Sequence, residues 1–291
     1  MRGLMKLIVP KEGITPEDLL EQFDHFVDEA HRLKEKYADQ ILLLVGLETE
    51  HITSGDLDHL EALLSRYRSK VQYLVGSVHH VNEIPIDFDR ATFEKAVASF
   101  GSHDNRGRTE AFLCAYFDLQ YDVLTRFRPE VVGHVDLCRL YEPSLRFADF
   151  PRACAKLERN IAYAVSYGAL FELNAAALRK GWDAAYPGED VVEVRVVLPC
   201  LNLLQLTLRQ FIQAAGGRFA LSDDSHGPHA VGLNYGRLHE YARRVNIGSL
   251  SVLAEIGSPN AAGRYVGARA VPGRWWEHPF WSSVTQQQKQ A

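Results

Sequence analysis

Apolar positions along the chain follow two different spacings, which predict helices and short strands in alternation. Apolar residues recur at helical spacing in four segments, which we predict to be helices over residues 15–37, 56–68, 109–127 and 151–166. Short apolar runs predict strands over residues 41–47, 71–78, 131–134, 170–173 and 218–222. Helices that alternate with short apolar strands favour parallel pairing through right-handed crossovers. The pattern therefore predicts an α/β fold built on a parallel sheet or barrel.

Residue types that bind metals stand at the ends of four of these predicted strands. They are Glu48, His79, His80, His134, Asp224 and His226. The carboxyl ends of parallel strands meet at one edge of a sheet or barrel, where α/β enzymes place their chemistry. In an extended segment Asp224 and His226 point to the same side, so they could chelate one cation or hold two neighbouring ones. The pattern predicts a metal site, although a capped strand end would also explain this last pair.

Composition narrows the functional class. The chain has 291 residues, 46% of them hydrophobic and 24% charged, which is typical of a single globular domain over residues 1–291. A formal net charge of -5 argues against nucleic acid as a partner, since that would need a concentrated basic face. The sequence shows no signal peptide and no apolar run of about 18 residues, so we expect a cytoplasmic protein with no membrane partner. The four cysteines lack CxxC spacing and fit reduced thiols.

One segment, residues 194–210, interrupts the pattern. It contains no acidic residue and has a proline in its interior. Without it, residues 190–193 would join residues 211–217 in a compact amphipathic helix, with Asp190 as N-cap and a glycine at the C-terminal end. We hypothesise that these 17 residues are a translated short intron. An ordinary surface insertion is the alternative, and sequencing the mature transcript would distinguish the two.

Five sequence blocks resemble a known family. They are GLE (46–48), GSVHHVNEIPIDFD (76–89), GHVDL (133–137), LNAAALRKG (173–181) and LSDDSHG (221–227). In this order they resemble the PHP-type histidinol-phosphatases of fungi, over most of the chain from about Thr15 to Trp281. The resemblance implies a distorted, TIM-like (β/α)7 barrel with a cluster of divalent Zn, Fe or Mn ions. It also implies hydrolysis of a small-molecule phosphate monoester, L-histidinol phosphate, to L-histidinol and phosphate in histidine biosynthesis.

The resemblance also implies roles for individual residues. The metal ligands would be Glu48, which bridges two ions, with His79, His134, Asp224 and His226. Arg179 would grip the phosphate, with Arg139 and His80 as further substrate contacts, and Arg179 and Asp224 would be the catalytic residues. Divalent metals lower the pKa of bound water and neutralise phosphoryl charge, so we expect an activated water to attack phosphorus without a covalent enzyme intermediate.

Several of these assignments have alternatives. Glu50 could replace Glu48 as the carboxylate ligand, and only one of the adjacent histidines His79 and His80 need bind metal directly. His134 could be a hydrogen-bonded core histidine. Arg179 could belong to a solvated pair with the lysine that follows it. We expect Asp136, two residues after His134, to be structural or to orient that histidine rather than to bind metal.

The chain departs from the family pattern in its first part. The family begins with an H-x-H motif on its first strand and has another histidine after its second strand, and neither is found here. We therefore expect a chain that lacks the first one or two βα units and about three metal ligands. This leaves two alternatives to an active histidinol-phosphatase. One is a PHP-type hydrolase of another phosphoester, and the other is a non-catalytic truncated paralogue.

Overall fold

A computed structural model describes residues 15–101, 104–192, 211–282 and 284. Its α-helices are α1 (Pro16–Lys36), α2 (Asp56–Arg66), α3 (Arg90–Ala98), α4 (Asn105–Phe127), α5 (Pro151–Ser166), α6 (Ala176–Arg179), α7 (Glu189–Val192) and α8 (Tyr235–Arg244). Its strands are β1 (Gly46–Glu48), β2 (Tyr73–Gly76), β3 (His80–Val81), β4 (Ile84–Pro85), β5 (Val131–Val132), β6 (Leu170–Asn174), β7 (Arg218–Ser222), β8 (Ser251–Glu255) and β9 (Val266–Ala270).

Within the described ranges, the central sheet has five strands in the order β1-β2-β5-β6-β7, and every neighbouring pair is parallel. Each strand therefore lies beside the next central strand in chain order, as it does in an α/β barrel wall. β3 with β4 and β8 with β9 form separate antiparallel hairpins. A parallel bridge between Phe219 and Leu250 brings β8 alongside β7. The prediction of an α/β fold with a parallel sheet is confirmed, while the complete (β/α)7 barrel and its missing first units stay predictions.

Two predicted elements match the structure residue for residue, and one was placed too early. α5 and β7 have the predicted bounds, and α1 begins with the expected Thr15 N-cap, whose hydroxyl accepts a hydrogen bond from the Asp18 N–H at 3.1 Å. The strand predicted over residues 41–47 is Gly46–Glu48 instead. In the described sheet β1 pairs with β2 alone, and their register begins only at Gly46 and Tyr73.

The hairpin of β8 and β9, which follows the last of the predicted strands, was missed. Burial in β8 does not follow one long apolar run: Ser251 and Ala254 are buried, whereas Val252 and Glu255 are exposed. A strand that is covered irregularly and contains small or polar buried residues gives a weak sequence signal. The helices α3 and α8 were also missed.

The core lies between the sheet and the helices that cover it. α5 shows how the sequence builds it, because Ala153, Leu157, Ile161 and Ala164 recur at helical spacing and are all buried. α5 packs along α4, whose buried face includes Phe117. No helix in the described ranges is long and apolar enough to cross a membrane.

The amino-terminal edge of the sheet is tied by a buried carboxylate, Glu130. This residue immediately precedes β5 and accepts a hydrogen bond from the Leu74 N–H of β2 at 2.9 Å. It also accepts hydrogen bonds from Asn260 Nδ2 at 2.6 Å and Arg264 Nε at 2.7 Å, both from the loop between β8 and β9. The C-terminal hairpin is thereby joined to the end of the sheet opposite the strands' carboxyl ends.

Candidate metal centre

Three side chains converge at the carboxyl edge of the sheet: Glu48, His79 and His134. Glu48 is the last residue of β1, and the histidines follow β2 and β5, the next two strands in the sheet order. Glu48 Oε1 lies 3.2 Å from His134 Nε2 and 3.5 Å from His79 Nε2. The two Nε2 atoms are 3.1 Å apart. We call this group the candidate metal centre.

Gly133 allows the close approach of strands that this geometry needs. A Cβ atom at that position would overlap Ser77 Oγ and come within 2.9 Å of Val75 Cγ1. Only a residue without a side chain lets β5 lie this close to the end of β2. His134 follows immediately, so the glycine helps to set how near its ring comes to His79.

Glu50 lies behind His79 and not in the centre. Its Oε2 atom is 2.9 Å from His79 Nδ1, and its Oε1 atom accepts the His51 N–H at 2.9 Å and lies 3.4 Å from His80 Nδ1. A carboxylate at Nδ1 keeps the proton on that nitrogen and leaves the Nε2 lone pair directed at the centre. Glu48 therefore faces the two Nε2 atoms, whereas Glu50 contacts the opposite side of the His79 ring. His80 is buried and faces Glu50.

The backbone of His134 is held by a second buried carboxylate, Glu172. Its Oε2 atom accepts hydrogen bonds from the His134 N–H at 2.8 Å and from Asn174 Nδ2 at 3.0 Å. The His134 side chain is 4% exposed, so it is buried as a core histidine would be, yet its Nε2 atom faces Glu48. Sequence reasoning missed Glu172 and Glu50 as supporting residues. The available signal for Glu172 was a charged residue inside an apolar strand.

The electrostatics of the centre keep its carboxylates ionised. Burial alone would raise the pKa of Glu48, but hydrogen bonds from His134 and His79 lower it far below its ordinary value. Hydrogen bonds from His79 and His80 lower the pKa of Glu50 in the same way. In return, and against the effect of burial, Glu48 and Glu50 raise the pKa of His79, and Glu48 raises that of His134. A cation bound here would meet the negative charge of Glu48, with that of Glu50 on the far side of His79.

The donor set fits a divalent metal ion. A carboxylate and two imidazoles suit zinc, iron or manganese, and three protein ligands leave coordination positions open for water or substrate, as in catalytic zinc sites. The three donor atoms lie within 4.8 Å of one another, close enough to share one ion. Glu48 is partly exposed, so the centre is open to solvent on one side.

Asp224, His226 and Arg179 lie together in and beside the loop that follows β7. His226 Nδ1 is 2.9 Å from the carbonyl oxygen of Asp224, and its side chain is 80% exposed. Arg179 donates hydrogen bonds to the carbonyl oxygens of Asp223 at 3.2 Å and Asp224 at 3.3 Å. The loop belongs to the same edge of the sheet as the candidate metal centre but contributes no atom to the three-residue group. The roles assigned to these residues stay predictions.

Arg139 is placed inside the protein rather than facing a substrate. Its guanidinium is 3% exposed and donates to Asp136 at 2.6 and 3.0 Å, to Asp190 at 2.7 and 3.1 Å, and to the Leu145 carbonyl at 3.0 Å. These five hydrogen bonds use all five N–H groups, so none is left for a phosphate. The charges of the two carboxylates raise the pKa of Arg139 despite its burial. Arg139 thus forms an internal ion pair with Asp136 and Asp190, while the substrate contact predicted for it stays a prediction.

Glu50→Gln tests the orienting role of that carboxylate. We expect the affinity for Mn²⁺ or Zn²⁺ to fall about 10–100-fold, because the amide no longer fixes the proton on His79 Nδ1. The fold should be kept, since Gln is close to Glu in size. Isothermal titration calorimetry of the metal-free variant measures the change. Glu240→Gln, at an exposed position on α8, is the matched control. Unchanged metal affinity in the Glu50→Gln variant would show that Glu50 does not orient His79 for metal binding.

The chain matches the model of the PHP domain family over residues 5–176, more than half of its length. It therefore belongs to the PHP domain family, and the matched part includes all three residues of the candidate metal centre. The chain is 40% identical over 278 residues to the "Probable histidinol-phosphatase" of Schizosaccharomyces pombe. The aligned region covers 94% of this chain and 82% of the relative. It is 28% identical over 313 residues to the "Histidinol-phosphatase" of Saccharomyces cerevisiae, covering 96% and 87%. These matches confirm the resemblance seen in the sequence.

Proposed function

We propose that this chain is a metal-dependent phosphatase that hydrolyses L-histidinol phosphate to L-histidinol and phosphate. The observation that carries the proposal is the convergence of Glu48, His79 and His134 at the carboxyl edge of the sheet in a member of the PHP domain family. The names of the two relatives supply the substrate, which the geometry alone does not specify. Zinc, iron or manganese suits the donor atoms.

Each residue of the centre has a part that follows from its contacts. Glu48 supplies an ionised carboxylate with two oxygens, which can hold one cation or bridge two. His79 and His134 turn their Nε2 atoms toward the same point, and Glu50 lies at the other ring nitrogen of His79, Nδ1. When bound, divalent metal ions acidify water and neutralise the charge that develops on a phosphoryl group.

The loop after β7 would complete the site. We propose Asp224 and His226 as further ligands, because they lie at the carboxyl end of a strand in the same sheet. The proposed role of Arg179 is to bind the phosphate, with a planar guanidinium that can donate two parallel hydrogen bonds. Its present partners are backbone carbonyls of residues 223 and 224, and its side chain can exchange these weak bonds for charged phosphate oxygens.

Hydrolysis should depend on metal and prefer L-histidinol phosphate. We expect phosphate release to fall more than about 100-fold after chelation and desalting, and to return when Mn²⁺ or Zn²⁺ is added, because phosphate monoesters are very slow to hydrolyse without catalysis. Released phosphate and bound metal are measured on the same samples. p-Nitrophenyl phosphate and glucose 6-phosphate serve as comparison substrates.

Three outcomes would contradict the proposal in different ways. Metal binding without hydrolysis of any ester would indicate a non-catalytic protein. Faster hydrolysis of a comparison ester would keep the phosphatase but change its substrate. Hydrolysis that survives chelation, with no metal detected, would remove the metal centre from the mechanism.

A further inference from the structure

The chain re-enters the described structure at Phe211, directly beside the end of α7. The Ile212 N–H donates to the Val191 carbonyl at 3.2 Å, and the Gln213 N–H donates to the Val192 carbonyl at 3.3 Å. Each pair is 21 positions apart in the sequence, and 4 apart when residues 194–210 are left out of the count. Hydrogen bonds from residue i to residue i−4 are those of an α-helix. Two successive helical hydrogen bonds therefore connect residues on the two sides of the 17-residue segment.

The buried residues on the two sides of residues 194–210 also fall at helical spacing when that segment is left out of the count. Val191, Val192 and Ile212 are 0% exposed, and Phe211 is 7% exposed. With residues 194–210 left out, Val191 is three positions from Phe211, four from Ile212 and seven from Ala215, which is partly buried. This is the spacing of one apolar helix face. The two parts thus share one buried stripe as well as one hydrogen-bond ladder.

The second part also ends as a helix does. Gly216 has φ +81°, its N–H donates to the Gln213 carbonyl at 3.0 Å, and the Gly217 N–H donates to the Ile212 carbonyl at 2.8 Å. These paired hydrogen bonds around a left-handed glycine form a Schellman motif, a common C-terminal helix end. The start differs from the sequence prediction: α7 begins at Glu189, so Asp190 is not the N-cap and its carboxylate instead pairs with Arg139.

We propose that residues 194–210, which lie outside the described residues, are an insertion within one α-helix that the flanking sequence already encodes in register. Without them, Glu193 would be bonded to Phe211, and α7 would continue to Ala215 as a helix of about ten residues. The rest of the fold would be unchanged, because the hydrogen bonds and the buried face that join the two parts are already formed.

The proposal requires a deletion of one particular length. Each helical residue turns the chain by about 100°, so one residue more or fewer would rotate Phe211 and Ile212 off the buried face. The strand β7 begins at Arg218, directly after Gly217, and holds the downstream end in place. The continuous helix would also position the ion pair of Arg139, because the partner residue Asp190 lies in the first turn of that helix.

The test compares three deletions with the full chain. One removes residues 194–210, and the two controls remove residues 195–210 or 193–210, which are 16 and 18 residues. We expect the 17-residue deletion to unfold at the same temperature as the full chain or a higher one. The controls should unfold roughly 5–10 °C lower, since they expose or misplace buried Phe211 and Ile212. Calorimetry or circular dichroism follows unfolding without any need for activity.

Hydrogen exchange supplies a second readout that does not depend on the stability of any variant. The amides of Ile212 and Gln213 should be protected in the full chain and in the 17-residue deletion. The proposal is overturned if these amides are unprotected in the full chain. It is also overturned if the 17-residue deletion unfolds below the full chain, or if all three deletions are equally stable. None of these results depends on whether the protein is a phosphatase.

Discussion

Glu48→Gln is expected to lower phosphate release from L-histidinol phosphate by about 1000-fold or more. Glu48 is the one carboxylate among the three side chains of the candidate metal centre, and its Oε1 atom lies within 3.5 Å of both histidine nitrogens. An uncharged amide binds divalent cations far less well than a carboxylate. If the bound metal contributes several kcal/mol to transition-state stabilisation, its loss costs about tenfold in rate for each 1.4 kcal/mol.

Two measurements are needed to interpret that loss. Metal content by mass spectrometry should fall together with the rate, and the unfolding temperature should stay near that of the unchanged protein, because Glu48 is partly exposed at a strand end. Glu240→Gln, on the exposed face of α8, should change neither quantity. Full metal content with full activity in Glu48→Gln would contradict the assignment of the centre.

Arg139→Leu is expected to lower the unfolding temperature by on the order of 10 °C, equivalent to about 3–5 kcal/mol of unfolding free energy. The substitution leaves Asp136, which is 0% exposed, as a buried charge without its partner. Arg146→Leu removes an arginine whose side chain is 70% exposed, so it should cost much less. Thermal unfolding of the purified variants measures both effects.

A second substitution separates the structural role of Arg139 from a role in substrate binding. Asp136→Asn combined with Arg139→Leu should be less destabilised than the sum of the single changes, because no unpaired buried charge remains. At a temperature where Arg139→Leu is folded, KM for the phosphoester should stay within about twofold. A stable Arg139→Leu variant with KM raised tenfold would instead indicate that Arg139 contacts the substrate.

The sequence located the residues of the candidate metal centre because each one follows an apolar strand closely. Glu48 and His134 could be found in this way, since chain order along a parallel sheet fixes which end of each strand is shared. Glu50 and Glu172 could not be assigned, because their roles depend on which atoms they meet across strands. The ion pair of Arg139 could not be predicted for a related reason: its partner Asp190 is 51 residues away, and nothing in the local sequence shows that the two meet.

The sequence predicted the fold about as completely as it predicted the candidate metal centre. The bounds of α5 and β7 followed from a proline start and a continuous apolar run. The strand before Glu48 was drawn too long, because apolar residues extend beyond the three that pair with β2. The irregular burial of β8 hid the last hairpin. The two halves of the helix around residues 194–210 could be joined by pattern alone, but only the hydrogen bonds of Ile212 and Gln213 fix their register.

Glu130 stabilises the amino-terminal end of the sheet, and the candidate metal centre lies at the carboxyl end. Glu130 fastens β2 and the C-terminal hairpin at the edge away from Glu48, His79 and His134, with contacts of 2.6–2.9 Å to three partners. Changes around Glu130 would therefore alter how long the protein survives heat or proteases and leave its chemistry intact. Changes at the opposite edge would do the reverse. Substitutions near Glu130 can therefore raise the stability of such a protein, while substitutions at the carboxyl end of the sheet change its substrate preference.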